Sequence, residues 1–358
     1  MANTDYFARQ RMMISKFGAD LIKSVRILIF GLGAGGNEVL KNLVLMGFRH
    51  LTLCDFDRVE DSNLSKSVFF RPEDIGKGKA EVAARRAAEM ALAEEPDIRY
   101  INGNLMTDVG KGIFLEHDIV ICCVDTQKAR AYINDMCVLT RTPFFEVGFS
   151  GFKVKDKELA KIPTIQVSAA LTGALVAQEV VKFLEGKDTM RNKMFLFFGL
   201  SLQTMLVSYT RRPDCTIHDE SLNLVTVPVS REVTIGETLR AIEAELGGTA
   251  LLSLPDDFIL SATCHSCGTK MEINTRSKDV WDDQRWCPAC RGTYPDYTSR
   301  LIHPSRIEKV PREVSLKAPR DILDRKLLDV GVPENDILEC VILSDGGSEN
   351  YNVYLKTE

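Results

Sequence analysis

Two hydrophobic periods alternate along the first 215 residues. Mostly apolar segments at 25–30, 51–55, 118–124 and 143–147 predict strands, those at 25–30, 118–124 and 143–147 buried. Between them, apolar positions three and four apart predict helices. One spans 37–46, with Val39, Leu40, Leu43 and Val44 facing inward and Gly47 ending it. A second, alanine-rich helix spans 77–93 with Pro96 beyond its end, and a third spans 128–139. Residues 167–184 read as a buried amphipathic helix rather than a bilayer span, because Gln178, Glu179 and Lys182 interrupt the apolar run. Residues 194–198 and 204–209 predict late strands whose pairing the pattern does not assign. Strands that alternate with helices imply an α/β fold, Rossmann-like, with a mainly parallel sheet covered by helices on both faces.

The pattern changes after Arg211-Arg212-Pro213. Residues 222–358 show shorter strands, a helix over 234–246, a short helix over 319–330, and a terminal hairpin pairing 337–343 with 351–356 across Asp345-Gly346-Gly347. The expected organisation is an α/β domain over 1–215 and a smaller α+β domain over 222–358.

Composition narrows the class without naming a chemistry. The 358 residues are 45% hydrophobic and 27% charged, ordinary for a globular chain. A formal net charge of −5 supplies no global field for nucleic acid or anionic lipid. The first residues carry no apolar secretory core. Of ten cysteines, Cys54, Cys122, Cys123 and Cys137 fall in apolar elements, where a reduced thiol packs as a small hydrophobe. A reducing cytoplasm is the expected compartment.

The candidate chemistry begins where the first strand ends. Gly31, Gly33 and Gly36 form G-x-G-x-x-G between a strand and a helix, which brings backbone N–H groups close to phosphate at the helix N-terminus. Asp55 ends the next strand nineteen residues after Gly36, where a carboxylate can hold ribose hydroxyls. To this point an NAD-dependent oxidoreductase fits equally well.

The residues that follow, D-F-D-R-V-E-D-S-N-L-S-K-S-V-F-F-R-P-E-D-I-G-K-G-K-A, and then C-C-V-D-T-Q-K-A-R, resemble the ubiquitin-activating/ThiF/MoeB/HesA superfamily of carboxylate-adenylating enzymes over about residues 5–215. The resemblance implies ATP and Mg²⁺, with Asp55 on the ribose and Asn63 beside the phosphates. It also implies Lys79 at the phosphates and the α-phosphorus, Lys66 in the position of a family arginine, and Asp125 on the metal. Arg9, in Ala8-Arg9-Gln10, resembles the arginine that reaches the neighbouring subunit's triphosphate in dimeric members, which implies a homodimer. Taken alone, Asp125 reads equally well as a cap on the helix after it.

Three departures stand out. Lys66 keeps the charge but lacks the planar fork of arginine. Thr126 stands where the family has asparagine. Between Cys137 and Cys215 there is no cysteine to accept an activated acyl group, and the connection 149–164 is short. Cys215, in R-R-P-D-C-T-I-H with His218, reads as a residual structural motif or as a weak thioester candidate.

Cys264-His-Ser-Cys267 and Cys287-Pro-Ala-Cys290, nineteen residues apart, have the spacing of a Cys₄ zinc ribbon at about 262–293. A closed thiolate set leaves no position for water, so the expected Zn²⁺ is structural. Mixed charge around the ribbon, with Trp281 and Trp286 as packing residues, favours protein docking over nucleic acid. The expected function is adenylation of the C-terminal carboxylate of a ubiquitin-like or sulfur-carrier β-grasp protein, with a conjugating-enzyme-like acceptor. The alternatives are adenylation of a peptide or tRNA base without a thioester step, an NAD-dependent oxidoreductase, and a non-catalytic scaffold.

Overall fold

The computed structural model describes residues 5–148, 166–198, 201–210, 223–280, 287–289 and 306–357. The chain divides into two compact units, one of Met1–Val109 with Ile113–Asp219, the other of Gly110–Gly112 with Glu220–Glu358.

The first unit runs through α1 (Lys16–Ser24), β1 (Arg26–Phe30), α2 (Ala34–Leu45), β2 (His50–Cys54), α3 (Asp61–Leu64), α4 (Lys79–Met90), β3 (Asp97–Ile101), β4 (Ile119–Cys122), α5 (Gln127–Thr140), β5 (Phe144–Glu146) and α6 (Gln166–Leu184), then β6 (Lys193–Phe198) and β7 (Gln203–Ser208). The first five strands form one parallel sheet in the order β3-β2-β1-β4-β5. The fold is therefore Rossmann-like. The apolar runs form strands because both faces are covered: Ile27, Ile29, Leu51, Leu53, Ile119 and Ile121 join one core, and Leu28, Phe30, Val120 and Cys122 join another.

Helix α2 begins at Ala34, three residues before the expected start, so Gly35 and Gly36 lie inside it. Helix α6 has the length and hydropathy (1.4) of a bilayer-crossing segment, yet it buries Ala169, Gly173, Val176, Ala177 and Val180 and lies against α2. A Cβ at Gly173 would come within 2.6 Å of Glu38 Cβ, so glycine sets that approach. The two late strands, left unpaired by the sequence pattern, form an antiparallel hairpin in the register Lys193↔Ser208.

The second unit contains β8 (Asn223–Val227), α7 (Ile235–Leu246), β9 (Thr249–Ser253), β10 (Phe258–Thr263), β11 (Lys270–Arg276), β12 (Ile307–Val310), β13 (Glu313–Val314), α8 (Arg320–Leu323), β14 (Ile337–Ser344) and β15 (Gly347–Leu355). One sheet has the order β13-β9-β14-β15-β8 and a second the order β11-β10-β12. Thr234 and Glu237 cap α7 reciprocally, and Leu239 and Ile242 bury its inner face. The terminal hairpin forms as expected, with Ser344 paired to Gly347. The single helix expected over 319–330 is instead α8 and a separate 3₁₀ turn at Leu328–Val330. The cause is tertiary: Arg325 O accepts from Ile235 N–H and Leu327 N–H donates to Val233 O, which draws the intervening chain into a bridge beside α7.

Candidate functional site

Strand β1 is the switch point of the parallel sheet, because its two neighbours, β2 and β4, continue in opposite directions. Ligands of open α/β sheets bind outside the carboxyl ends of the strands at such a point. The carboxyl end of β1 leads into Gly31, that of β2 into Asp55, and that of β4 toward Asp125. Topology thus delivers the glycine turn and both candidate acids to one edge of the sheet.

The three glycines do different work. Gly31 has φ +88°, and a Cβ there would lie 2.8 Å from the Cys123 carbonyl group. A Cβ at Gly36 would clash with Gly31 O. Those two are required by packing of the turn itself. Gly33, the N-cap of α2, has no side-chain cap and would direct a Cβ into open space. No described atom lies within 4 Å of that position, and the first N–H groups of α2, which lack intrahelical partners, are the donors an anion cradle uses.

Asp55 closes the turn from the other side. Its Oδ2 accepts from Leu32 N–H at 2.6 Å and its Oδ1 from Asp57 N–H at 2.8 Å. Desolvation pushes this half-buried carboxyl upward, against the Leu32 hydrogen bond and the nearby Lys79 charge, which pull it down. Each oxygen keeps a second lone pair for a ligand hydroxyl.

Lys79 opens α4 and is 8% exposed. Its Nζ donates to Asp57 Oδ2 at 2.8 Å, and its N–H donates to Asp57 O at 2.9 Å. Asn63 is buried in α3, where its Oδ1 accepts from Glu60 N–H at 3.0 Å. Lys66 follows α3, half-buried, and its ammonium has no protein partner among the described residues. Arg9 is exposed, and its guanidinium likewise meets no described side chain.

Asp125 is not the cap of α5. Thr126 is: its Oγ1 accepts from Ala129 N–H at 3.3 Å. Asp125 is exposed and without a protein partner among the described residues, so its carboxylate is available to a ligand. A single free carboxylate beside a phosphate cradle fits Mg²⁺, which is commonly held by one or two carboxylates together with substrate phosphates. Arg130 is occupied structurally, bonding Glu146 and the Val147 carbonyl and so tying α5 to β5.

Sequence reasoning missed Asn37 and Asp57. Asn37 is wholly buried at the start of α2, where it bonds the glycine turn on one side and Phe69 on the other. Asp57 had a visible signal, the second acid of D-F-D, but no chemistry to attach to it before Lys79 was placed.

Cys264, Cys267 and Cys287 bring their sulfurs within 4.8 Å of one another. Cys267 Sγ and Cys287 Sγ are 3.6 Å apart, far beyond a disulfide bond and close to the ~3.8 Å edge of a tetrahedron with ~2.3 Å Zn–S bonds. Gly268, at φ +75°, donates its N–H to Cys264 O and makes the knuckle turn. The residues fit zinc. Cys290, the fourth ligand expected, lies outside the described residues, as do Trp281, Trp286, Cys215, His218 and the connection 149–164. The other described thiols make poor nucleophiles. Burial pushes Cys54 up to about 12 and Cys122 and Cys340 to about 11, and it raises Cys123 and Cys137 as well.

A glycine turn at the sheet's switch point, an acid at the end of β2 and a buried lysine at a helix start define a nucleotide-binding α/β domain. Residues 7–155 match the ThiF family, which places this domain in the ubiquitin-activating/ThiF/MoeB superfamily. The chain is 34% identical over 134 residues to SUMO-activating enzyme subunit 2 of Dictyostelium discoideum, covering 37% of this chain and 20% of that protein. It is 40% identical over 115 residues to the NEDD8-activating enzyme E1 catalytic subunit of Arabidopsis thaliana, covering 32% and 25%. The match thus spans a quarter or less of either relative. Among solved structures, E. coli MccB crystallised with ATP shares the fold, with a TM-score of 0.51 and 22% identity over 60% of this chain and 75% of that one.

Proposed function

We propose that the chain is an ATP- and Mg²⁺-dependent adenylyltransferase that activates the C-terminal carboxylate of a ubiquitin-like or sulfur-carrier β-grasp protein. The observation that carries this reading is Asp125: an exposed acid, without a partner among the described residues, at the sheet edge that also presents the N-terminus of α2 and Asp55. A dehydrogenase would leave that acid without a task.

In this reaction a carboxylate oxygen of the substrate attacks the α-phosphorus and forms a P–O bond. The bond to the α–β bridging oxygen breaks, and its electron pair leaves with pyrophosphate. Mg²⁺, when bound, neutralises phosphate charge and orients the leaving group. Gly33 and the N–H groups after it cradle phosphate, Asp55 accepts from the ribose hydroxyls, and Asp125 holds the metal. Asn63 lies beside the phosphates. Lys79 and Lys66 offset the charge that builds on the phosphoryl oxygens, and Arg9 serves the site of the other protomer in a homodimer.

Zn²⁺ on Cys264, Cys267, Cys287 and Cys290 is structural in this reading, and the second unit recruits a conjugating-enzyme-like acceptor. A reducing, cytoplasmic setting suits these free thiols. A second reading has its own support: the described cysteines outside the metal cluster are buried with raised thiols. On that basis the acyl-adenylate passes directly to an external nucleophile, as in adenylation of a peptide or tRNA base.

The test is exchange of labelled pyrophosphate into ATP, run with purified β-grasp proteins that end in glycine. Exchange that depends on the carrier and on Mg²⁺, and is lost in Asp125→Ala, is expected. Undiminished exchange in Asp125→Ala removes the metal role.

A further inference from the structure

The proposed chemistry leaves one close contact unused. The Lys79 ammonium, with its side chain 10% exposed, is paired with an Asp57 carboxylate that is 51% exposed. The Asp57 main chain is fixed independently of that pair. Its N–H donates to Asp55 Oδ1 at 2.8 Å, and its carbonyl accepts Lys79 N–H at 2.9 Å. The carboxylate can therefore swing into solvent while the backbone links to Asp55 and Lys79 persist.

We propose that Asp57 is the resting partner of Lys79, an internal carboxylate that the nucleotide's phosphates displace and to which Lys79 returns when pyrophosphate leaves. The proposal rests on the adenylation reading, because it takes Lys79 as a phosphate contact. Asp57 is then a positioning residue that acts through Lys79. A buried ammonium without an anion is costly, so Lys79 needs a partner both with and without nucleotide. A triphosphate carries enough charge to outcompete one carboxylate. The single charge on the acyl phosphate of an acyl-adenylate competes far less well, so Asp57 recaptures Lys79 and favours departure of pyrophosphate. The same competition lowers the apparent affinity for ATP by the fraction of chains in which Lys79 is unpaired.

The experiment is calorimetric titration of the full chain with ATP·Mg²⁺ and, separately, with pyrophosphate. It compares the natural chain with Asp57→Asn, Asp57→Glu, Lys79→Gln and the double variant Asp57→Asn/Lys79→Gln. Removing the competitor in Asp57→Asn is expected to tighten both ligands by about three- to tenfold. The same change on the Lys79→Gln background is expected to shift Kd by less than about twofold. Asp57→Glu, which keeps the charge, is expected to stay near the natural affinity. Unchanged or weaker binding in Asp57→Asn overturns the proposal. Equal tightening with and without Lys79 also overturns it, because simple repulsion of phosphate by Asp57 would then be the cause. If the natural chain binds no ATP, the adenylation reading itself fails and this inference falls with it.

Discussion

Asn37 and Phe69 are thirty-two residues apart, yet the Asn37 Oδ1 accepts the Phe69 N–H at 3.0 Å. The same amide donates through Nδ2 to Leu32 O at 2.6 Å and to Gly33 O at 3.1 Å. One buried side chain thus holds the glycine turn and the segment after α3 in a fixed relation. Asn37→Leu, close in volume, leaves the Phe69 donor unmatched and is expected to cost about 1–3 kcal/mol. Urea unfolding monitored on the first unit checks this. A loss below about 0.5 kcal/mol would mean that water replaces the amide.

The glycine turn separates folding from binding. Gly31→Ala and Gly36→Ala are expected to destabilise the first unit, the former through φ +88° and contact with Cys123, the latter through contact with Gly31 O. Gly33→Ala meets no described atom, and its φ of −68° suits any residue. It is expected to fold with unchanged thermal stability and to bind ATP about tenfold or more weakly, because the new methyl occupies the phosphate approach. Thermal melts beside ATP titrations separate the two classes. Normal ATP affinity in Gly33→Ala would place the phosphates elsewhere.

These residues also mark what was legible in the sequence. Strands β1 and β4 could be read because Ile27–Phe30 and Ile119–Cys122 are apolar and fully buried, and β2 because Leu51, Leu53 and Cys54 are buried around Thr52. Strand β3, with the sequence D-I-R-Y-I at a sheet edge, is half exposed and carries no such run. The glycines and acids of the site were visible because their spacing along strand and helix is local. The partners of Asp125, Asn37 and Lys79 were not, since each depends on a long-range contact or on the absence of one. Helix α8 shows the same limit, because its early end is set by pairing with the chain before α7.

Thr126 and Asp125 are neighbours with separable tasks. Thr126→Ala removes the cap of α5 and is expected to cost about 1 kcal/mol while leaving pyrophosphate exchange in place. Asp125→Asn breaks no hydrogen bond or ion pair among the described residues and is expected to change stability by less than about 0.5 kcal/mol while exchange disappears. The opposite assignment, with stability lost at Asp125 and exchange lost at Thr126, would return Asp125 to a capping role.

Zinc removal should act on one unit. With metal bound, the chain is expected to contain stoichiometric zinc by elemental analysis and to lose it in Cys264→Ser or Cys287→Ser. Structural zinc contributes folding free energy directly, so chelation is expected to loosen β10 and β11, whose ends Thr263 and Lys270 pair across the Cys264–Thr269 turn. Amide exchange should rise there and stay unchanged in β1 and β4. Full zinc occupancy in both serine variants would exclude these cysteines as ligands.

His117 gives the first unit a pH dependence with a definite sign. Its ring is bound on both sides, with Nδ1 2.7 Å from Ile113 O and Nε2 2.8 Å from Thr52 Oγ1. A carbonyl can only accept, so Nδ1 carries the proton and the bare Nε2 accepts the threonine hydroxyl. Burial of the ring lowers its pKa from the ordinary value of 6.5. Between the two pKa values the unfolded chain binds a proton that the folded chain refuses. Stability from this group is therefore complete above 6.5 and declines as pH falls from there toward the folded value. His117→Asn is expected to lower stability at neutral pH and to flatten this part of the profile, leaving the acid losses of the carboxylates at lower pH. Urea midpoints measured from pH 8 to pH 5 on both proteins decide the matter, and parallel profiles would mean that the His117 pKa is the same in the folded and unfolded chain.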